Sequence, residues 1–247
     1  MTHYLILAEG GCYGNFLACV IRSMWDLNFT KQVRVSDSGS CDSISGAGEI
    51  TKLMQPFNMY PENSLVADRI AAVLKTKEYT SNVINTFHYV NKDSVDKFLT
   101  ANNVKVIYVT QEEDDYRLIA LNKISKNFDN VHNLNHVKKD YLGLLNFYNK
   151  RTSKELETLT DCTTMSKELK ADLVSAWQMY MTRRINLNRP EPDERILFVK
   201  FKDIISNENK VLEDLEKFTN SKINETSIVF YKQYLEAQKK VWDYVNN

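Results

Sequence analysis

The 247-residue chain has little in it to break or staple a fold: 4 prolines, 7 glycines and 4 cysteines. Cys12, Cys19, Cys41 and Cys162 form no CxxC pair and have no nearby histidine. That spacing suggests neither a zinc site nor a disulfide framework. There is no charge imbalance either, with Lys plus Arg and Asp plus Glu at 32 each. Bulk attraction to nucleic acid or to an anionic membrane is therefore not indicated. No apolar run approaches the roughly 20 residues of a membrane span. The opening MTHYLILAEGG lacks a basic stretch and runs into glycines after five apolar residues, which makes a poor secretory signal. Together these absences read as a cytoplasmic protein with neither nucleic acid nor membrane as its partner.

What is present is ordinary globular composition, 43% hydrophobic and 26% charged, in a chain long enough to bury a substantial core. Four short, nearly apolar segments read as strands buried on both faces of a parallel sheet: Tyr4–Ala8, Asn82–Phe87, Val104–Thr110 and Ile196–Phe201. Helical spacing predicts helices over Asn15–Leu27, Ser64–Lys75, Lys92–Ala101, Asp115–Lys126, Leu169–Asn186 and Lys210–Phe218. Strands alternating with helices give an α/β layered fold. SDSGSCDSISGAGE, residues 36–49, reads as a long serine- and glycine-rich loop, too long for a simple connector. Residues 129–161 are polar and irregular apart from Tyr141–Tyr148. No internal repeat or domain boundary is visible, so 1–247 reads as a single domain, with an insertion around 129–165.

The sharpest local signal is at the amino end, HYLILAEGGCYGNFLACVIRSMWD. A strand turns through Gly10, Gly11 and Gly14 into a helix whose apolar positions are Phe16, Leu17, Val20, Ile21 and Met24. Proteins cradle phosphate this way, with backbone N–H groups at a helix start. Neither Walker A nor the dinucleotide fingerprint fits. Three residues separate Gly10 from Gly14, and Asn15 and Phe16 stand where Lys and Ser or Thr belong. Cys12, just before the helix, sits where a thiolate would be stabilised; the other reading is a small residue fitting a turn.

Four segments in order, LILAEGGCYGNFLACVI, NVINTFHYV, VKVIYVTQEEDDYRLIALN and RILFVKFKDIISNENKVLEDLEKFTN, resemble the sulfotransferase family over roughly residues 3–219. The resemblance implies an α/β three-layer sandwich with a central, mainly parallel, P-loop-like sheet. It also implies transfer of a sulfo group from 3′-phosphoadenosine 5′-phosphosulfate to an acceptor hydroxyl or amine, the acceptor being a small molecule, glycan or protein. In that family a KSGTTWL-like loop holds the phosphosulfate, and a strand ending in KTH supplies a histidine base. An IYVVRNPxDVxVS segment binds the 3′-phosphate, and a late strand reads VRYEDL.

Carried over by position, the donor loop falls on Gly11, Cys12, Tyr13, Gly14, Asn15 and Phe16, and the base on His88. Asp203 matches the Asp of YEDL, with Lys202 before it. The 3′-phosphate arginine falls on Gln111, followed by Glu112, Glu113, Asp114 and Asp115. One carboxylate about 4 Å from a phosphate charge opposes it by about 4 kcal/mol at an effective dielectric of about 20. On sequence alone, the 3′-phosphorylated nucleotide is therefore expected to bind weakly, with Arg117 or Arg22 as partial substitutes for the missing arginine. The acidic run equally suits the start of the following helix.

Other clusters have blander readings. His132 and His136 lack the carboxylate of a zincin motif. Arg183, Arg184 and Arg189 read as the polar end of a helix, and YLGLLNFYNK as core or insertion helix. Two function classes remain: a sulfotransferase-like enzyme, or an inactive protein that keeps the fold as a binding or structural component with protein partners. The Lys-, Asn- and Tyr-rich composition is of the kind AT-rich genomes encode, many phages among them. The second class therefore includes a phage-particle component, in the host cytoplasm or the virion.

Overall fold

A computed structural model describes residues 2–8, 14–25, 33–35, 41–43, 83–87, 92–100, 103–121, 134–161, 164–185 and 189–246. Its strands are β1 (His3–Leu7), β2 (Val33–Val35), β3 (Cys41–Ser43), β4 (Val83–Phe87), β5 (Val104–Thr110) and β6 (Ile196–Lys200). Its helices are α1 (Gly14–Trp25), α2 (Lys92–Leu99), α3 (116–121), α4 (Leu134–Phe147), α5 (Ser153–Thr158), α6 (Lys167–Ile185), α7 (Phe201–Ser206), α8 (Glu208–Thr219) and α9 (Glu225–Asn246). This is a mixed α/β fold.

Four strands form one parallel sheet in the order β4-β1-β5-β6. β1, at its centre, is buried along its whole length, which is why HYLIL is almost uniformly apolar. Side chains alternate between faces along a strand. Ile6, Ala8, Ile107, Val109 and Val199 point to one face, where they join the main core with α1, α3, α6, α8 and α9. Leu5, Leu7, Val104, Val106 and Ile196 point the other way and are also buried, as are Val95, Phe98 and Leu99 of α2. The sheet is thus covered with apolar residues on both faces.

Pairing between β1 and β4 is irregular. Leu5 pairs with Ile84 but Leu7 with Phe87, so β4 takes one extra residue in that interval.

Core contacts seat α1 firmly. Phe16 is 1% exposed and stacks on Tyr234 of α9 at 3.9 Å between ring centroids, with the Tyr231 ring edge-on at 4.7 Å. At the other end of α1, Asn224 locks the α9 start. Its amide donates to the Ser23 carbonyl at 2.9 Å, and its oxygen accepts the Ser227 N–H at 2.9 Å.

Several boundaries differ from the sequence reading. β6 stops at Lys200 because Phe201 already begins α7, where a polar turn was expected after FKDI. The helix expected from Asp115 begins instead as a 3-10 turn, Glu113–Asp115, running into α3. Cys41–Ser43, within the expected loop 36–49, pairs antiparallel with β2. Residues 129–161, read as polar and irregular around a helical insertion at Tyr141–Tyr148, contain α4 and α5, whose Tyr141, Leu145 and Leu156 join the main core. α9 was not foreseen. The helix expected over Ser64–Lys75 lies outside the described residues.

Candidate functional site

All four strands of the sheet run the same way, so their carboxyl ends share one edge. The chain leaves β1, returns as β4 on one side of it, then crosses to β5 on the other. Where successive connections diverge in this way, a crevice opens at the carboxyl ends. Here that place lies between β1 and β5, so the end of β1 and the segment after Thr110 stand on its two sides.

On the β1 side, Gly11, Cys12, Tyr13 and their neighbours 9–13 lie outside the described residues. The described chain fixes their ends at Ala8 after β1 and Gly14 at the start of α1. The first four N–H groups of a helix lack partners within it, and α1 has no acidic residue in its first turn. Gly14, Asn15 and Phe16 therefore bring donors and the positive helix end to this edge. Phe16 contributes only its backbone there, because its ring is core. His88 also lies outside the described residues. Phe87 before it is paired with Leu7, at the carboxyl end of β1.

On the β5 side, the Gln111 amide folds back and donates to the Val109 carbonyl at 2.9 Å. Asp115 is 8% exposed, and its carboxylate accepts the Glu112 N–H at 2.9 Å. Burial pushes the Asp115 carboxyl upward from the ordinary carboxylate value, while that N–H and the charge of Lys202 pull it down. Part of the acidic run thus serves the start of its own helix. Glu112 reaches across to β6, where its carboxylate meets Lys200 Nζ at 3.1 Å. Lys200 is the Cα partner of Thr110, the residue before Gln111.

Lys200, the charge that ends ILFVK, has no local signal in the sequence and is brought here only by the pairing of β5 with β6. Lys202 is exposed. Asp203, matched to the family pattern, is held by Lys210 at 2.6 Å.

The two substitute arginines divide. Arg117 is exposed on α3, just past the acidic turn. Arg22 is in the last turn of α1, about 12 Å along the axis from Gly14 at 1.5 Å per residue. The Tyr4–Trp25 ring contact at 5.5 Å places that end of α1 by the amino end of β1. Burial also lowers the Arg22 guanidinium pKa. Arg22 belongs to the opposite edge of the sheet and not to this site. Among the described residues, no group of three His, Cys, Asp or Glu side chains is arranged to hold a metal, and no helix is long and apolar enough to cross a membrane.

No family model matches this chain. No curated protein matches it either. Among solved structures, the chain is similar to a sulfotransferase domain from the curacin biosynthetic pathway, at 11% identity and a TM-score of 0.38, over 93% of this chain and 77% of that one. A likeness of that size carries no argument about activity.

Proposed function

We propose that the chain is a sulfotransferase-like α/β protein, a single three-layer sandwich, whose β1/β5 crevice takes 3′-phosphoadenosine 5′-phosphosulfate. The observation that supports this is topological. α1 begins at Gly14, next after β1 in the chain, and β1 borders the place where the connections of a parallel sheet diverge. Backbone N–H groups from Gly11 to Phe16, with the Asn15 amide, would hold the phosphosulfate. In sulfo transfer the acceptor oxygen or nitrogen bonds to sulfur while the bond from sulfur to the 5′-phosphate oxygen breaks. His88 would accept the acceptor's proton. The acceptor would be a hydroxyl or amine of a small molecule, glycan or protein.

A second reading has its own support on the β5 side. Gln111 is tied to its own strand, and four carboxylates follow it. A protein that keeps the fold only to bind protein partners, such as a structural component, has no need of a phosphate site there.

Calorimetry with 3′-phosphoadenosine 5′-phosphate, the desulfated product, separates the two. Micromolar binding favours the donor reading, and absence of binding at millimolar nucleotide favours the second. Under the donor reading, His88→Ala lowers the transfer rate far more than it weakens nucleotide binding.

A further inference from the structure

We propose that Lys200 is the residue that reads the second phosphate of the donor, supplying from β6 the cation that β5 lacks at Gln111. The inference rests on the donor reading above and deepens it. Neighbouring strands lie about 4.8 Å apart, and Lys200 pairs in register with Thr110. Its side chain therefore rises one strand away from Gln111, at the same edge. Its ammonium already sits over the acidic turn, 3.1 Å from the Glu112 carboxylate. That contact cancels one of the charges that would repel an incoming phosphate.

The cation is also available. Lys200 and Glu112 are 60% and 64% exposed, and a pair this open favours its closed form by roughly fivefold at most. An anionic ligand can draw Lys200 away at little cost. Lys210, also near this end of β6, is committed twice, to Asp203 at 2.6 Å and Asp214 at 3.6 Å. Arg195 is tied to Asp193 and to the Leu99 carbonyl just before β6 begins, at the opposite end of the strand. Lys202 lies close enough to lower the Asp115 carboxyl, so it offsets the inner part of the acidic turn while Lys200 offsets the outer part.

Two nucleotides that differ only in the 3′-phosphate test this by calorimetry: 3′-phosphoadenosine 5′-phosphate and adenosine 5′-phosphate. The unmodified protein binds the bisphosphate more tightly. Lys200→Gln lowers bisphosphate affinity about tenfold or more while leaving the monophosphate within about twofold. Lys200→Arg keeps most of the discrimination. Glu112→Gln, which frees Lys200 and removes a repelling charge, raises bisphosphate affinity about threefold or more. Lys232→Gln, at a lysine paired with Glu208 on α8, changes neither nucleotide. If both nucleotides bind alike, or the bisphosphate is preferred and Lys200→Gln preserves the preference, the role of Lys200 falls while the donor loop stands. If neither nucleotide binds, the donor reading falls with it.

Discussion

Replacing Asp115 separates two roles that one carboxylate fills at the start of α3. Its oxygen accepts the Glu112 N–H at 2.9 Å, and its charge sits at a position only 8% exposed. Asp115→Ala removes the acceptor and should cost about 0.5–2 kcal/mol, the usual loss for a helix-start cap. Asp115→Asn keeps an acceptor oxygen and removes the buried charge. At neutral pH it gives up about 0.3–1 kcal/mol of favourable interaction with the helix end and gains back the desolvation that raises the carboxyl's pKa. Because the pKa is raised on balance, burial outweighs that loss, so Asp115→Asn should be at least as stable as the unmodified protein at pH 7. The pH dependence has a definite sign. Because the folded-state pKa is raised, the folded protein takes up the proton before the unfolded chain does. The unmodified protein therefore gains stability relative to Asp115→Asn as pH falls from neutrality through the raised value, and the gain is complete below the ordinary value of 3.8. Urea unfolding of the three proteins at pH 7 and about pH 4 reads all of this. An Asn variant as damaged as the Ala variant at pH 7, or one that gains on the unmodified protein as pH falls, would contradict this.

Two further predictions concern what holds the site's supporting elements. Phe16→Ala should destabilise by about 3–5 kcal/mol, measured by urea unfolding, because it empties a ring site packed against Tyr234 and Tyr231; a loss below about 1 kcal/mol would mean the ring is not core. Tyr231→Phe should cost about 1–2 kcal/mol by thermal unfolding, since the buried hydroxyl donates to the Ile204 carbonyl at 2.8 Å and its removal leaves that carbonyl without this donor. Burial holds the Tyr231 hydroxyl neutral well above its usual range, so this loss should be the same at pH 6 and pH 9.

The four sheet strands were legible to within a residue or so because each is a short, largely apolar run, and such a run can be read without tertiary information. The β6/α7 junction was not. ILFVKFKDII has apolar residues on both sides of the boundary, with Lys200, Lys202 and Asp203 interspersed, and periodicity does not divide a strand from a helix in so short a run. α9 was missed for a different reason. Its buried face includes Ser227, Tyr231, Tyr234 and Gln238, a stripe at helical spacing built largely of residues with polar groups. At the site, the glycine turn and the acidic run were visible as local patterns. The cation opposite Glu112 was not, because Lys200 is 88 residues away in sequence and comes near only through the pairing of β5 with β6. Arg22 failed in the reverse sense. It is close to the glycine turn in sequence, but α1 carries it to the other edge of the sheet.

The central claim is that a phosphorylated donor sits on the glycine turn and the first turn of α1. Backbone amide shifts followed by nuclear magnetic resonance during titration with 3′-phosphoadenosine 5′-phosphate test it most directly. The amides of Gly10 through Phe16 should move first and furthest, with those of Gln111 and Lys200 following, while the amides of α8 stay in place. Shifts confined to other surfaces, or a spectrum unchanged at millimolar nucleotide, would contradict it.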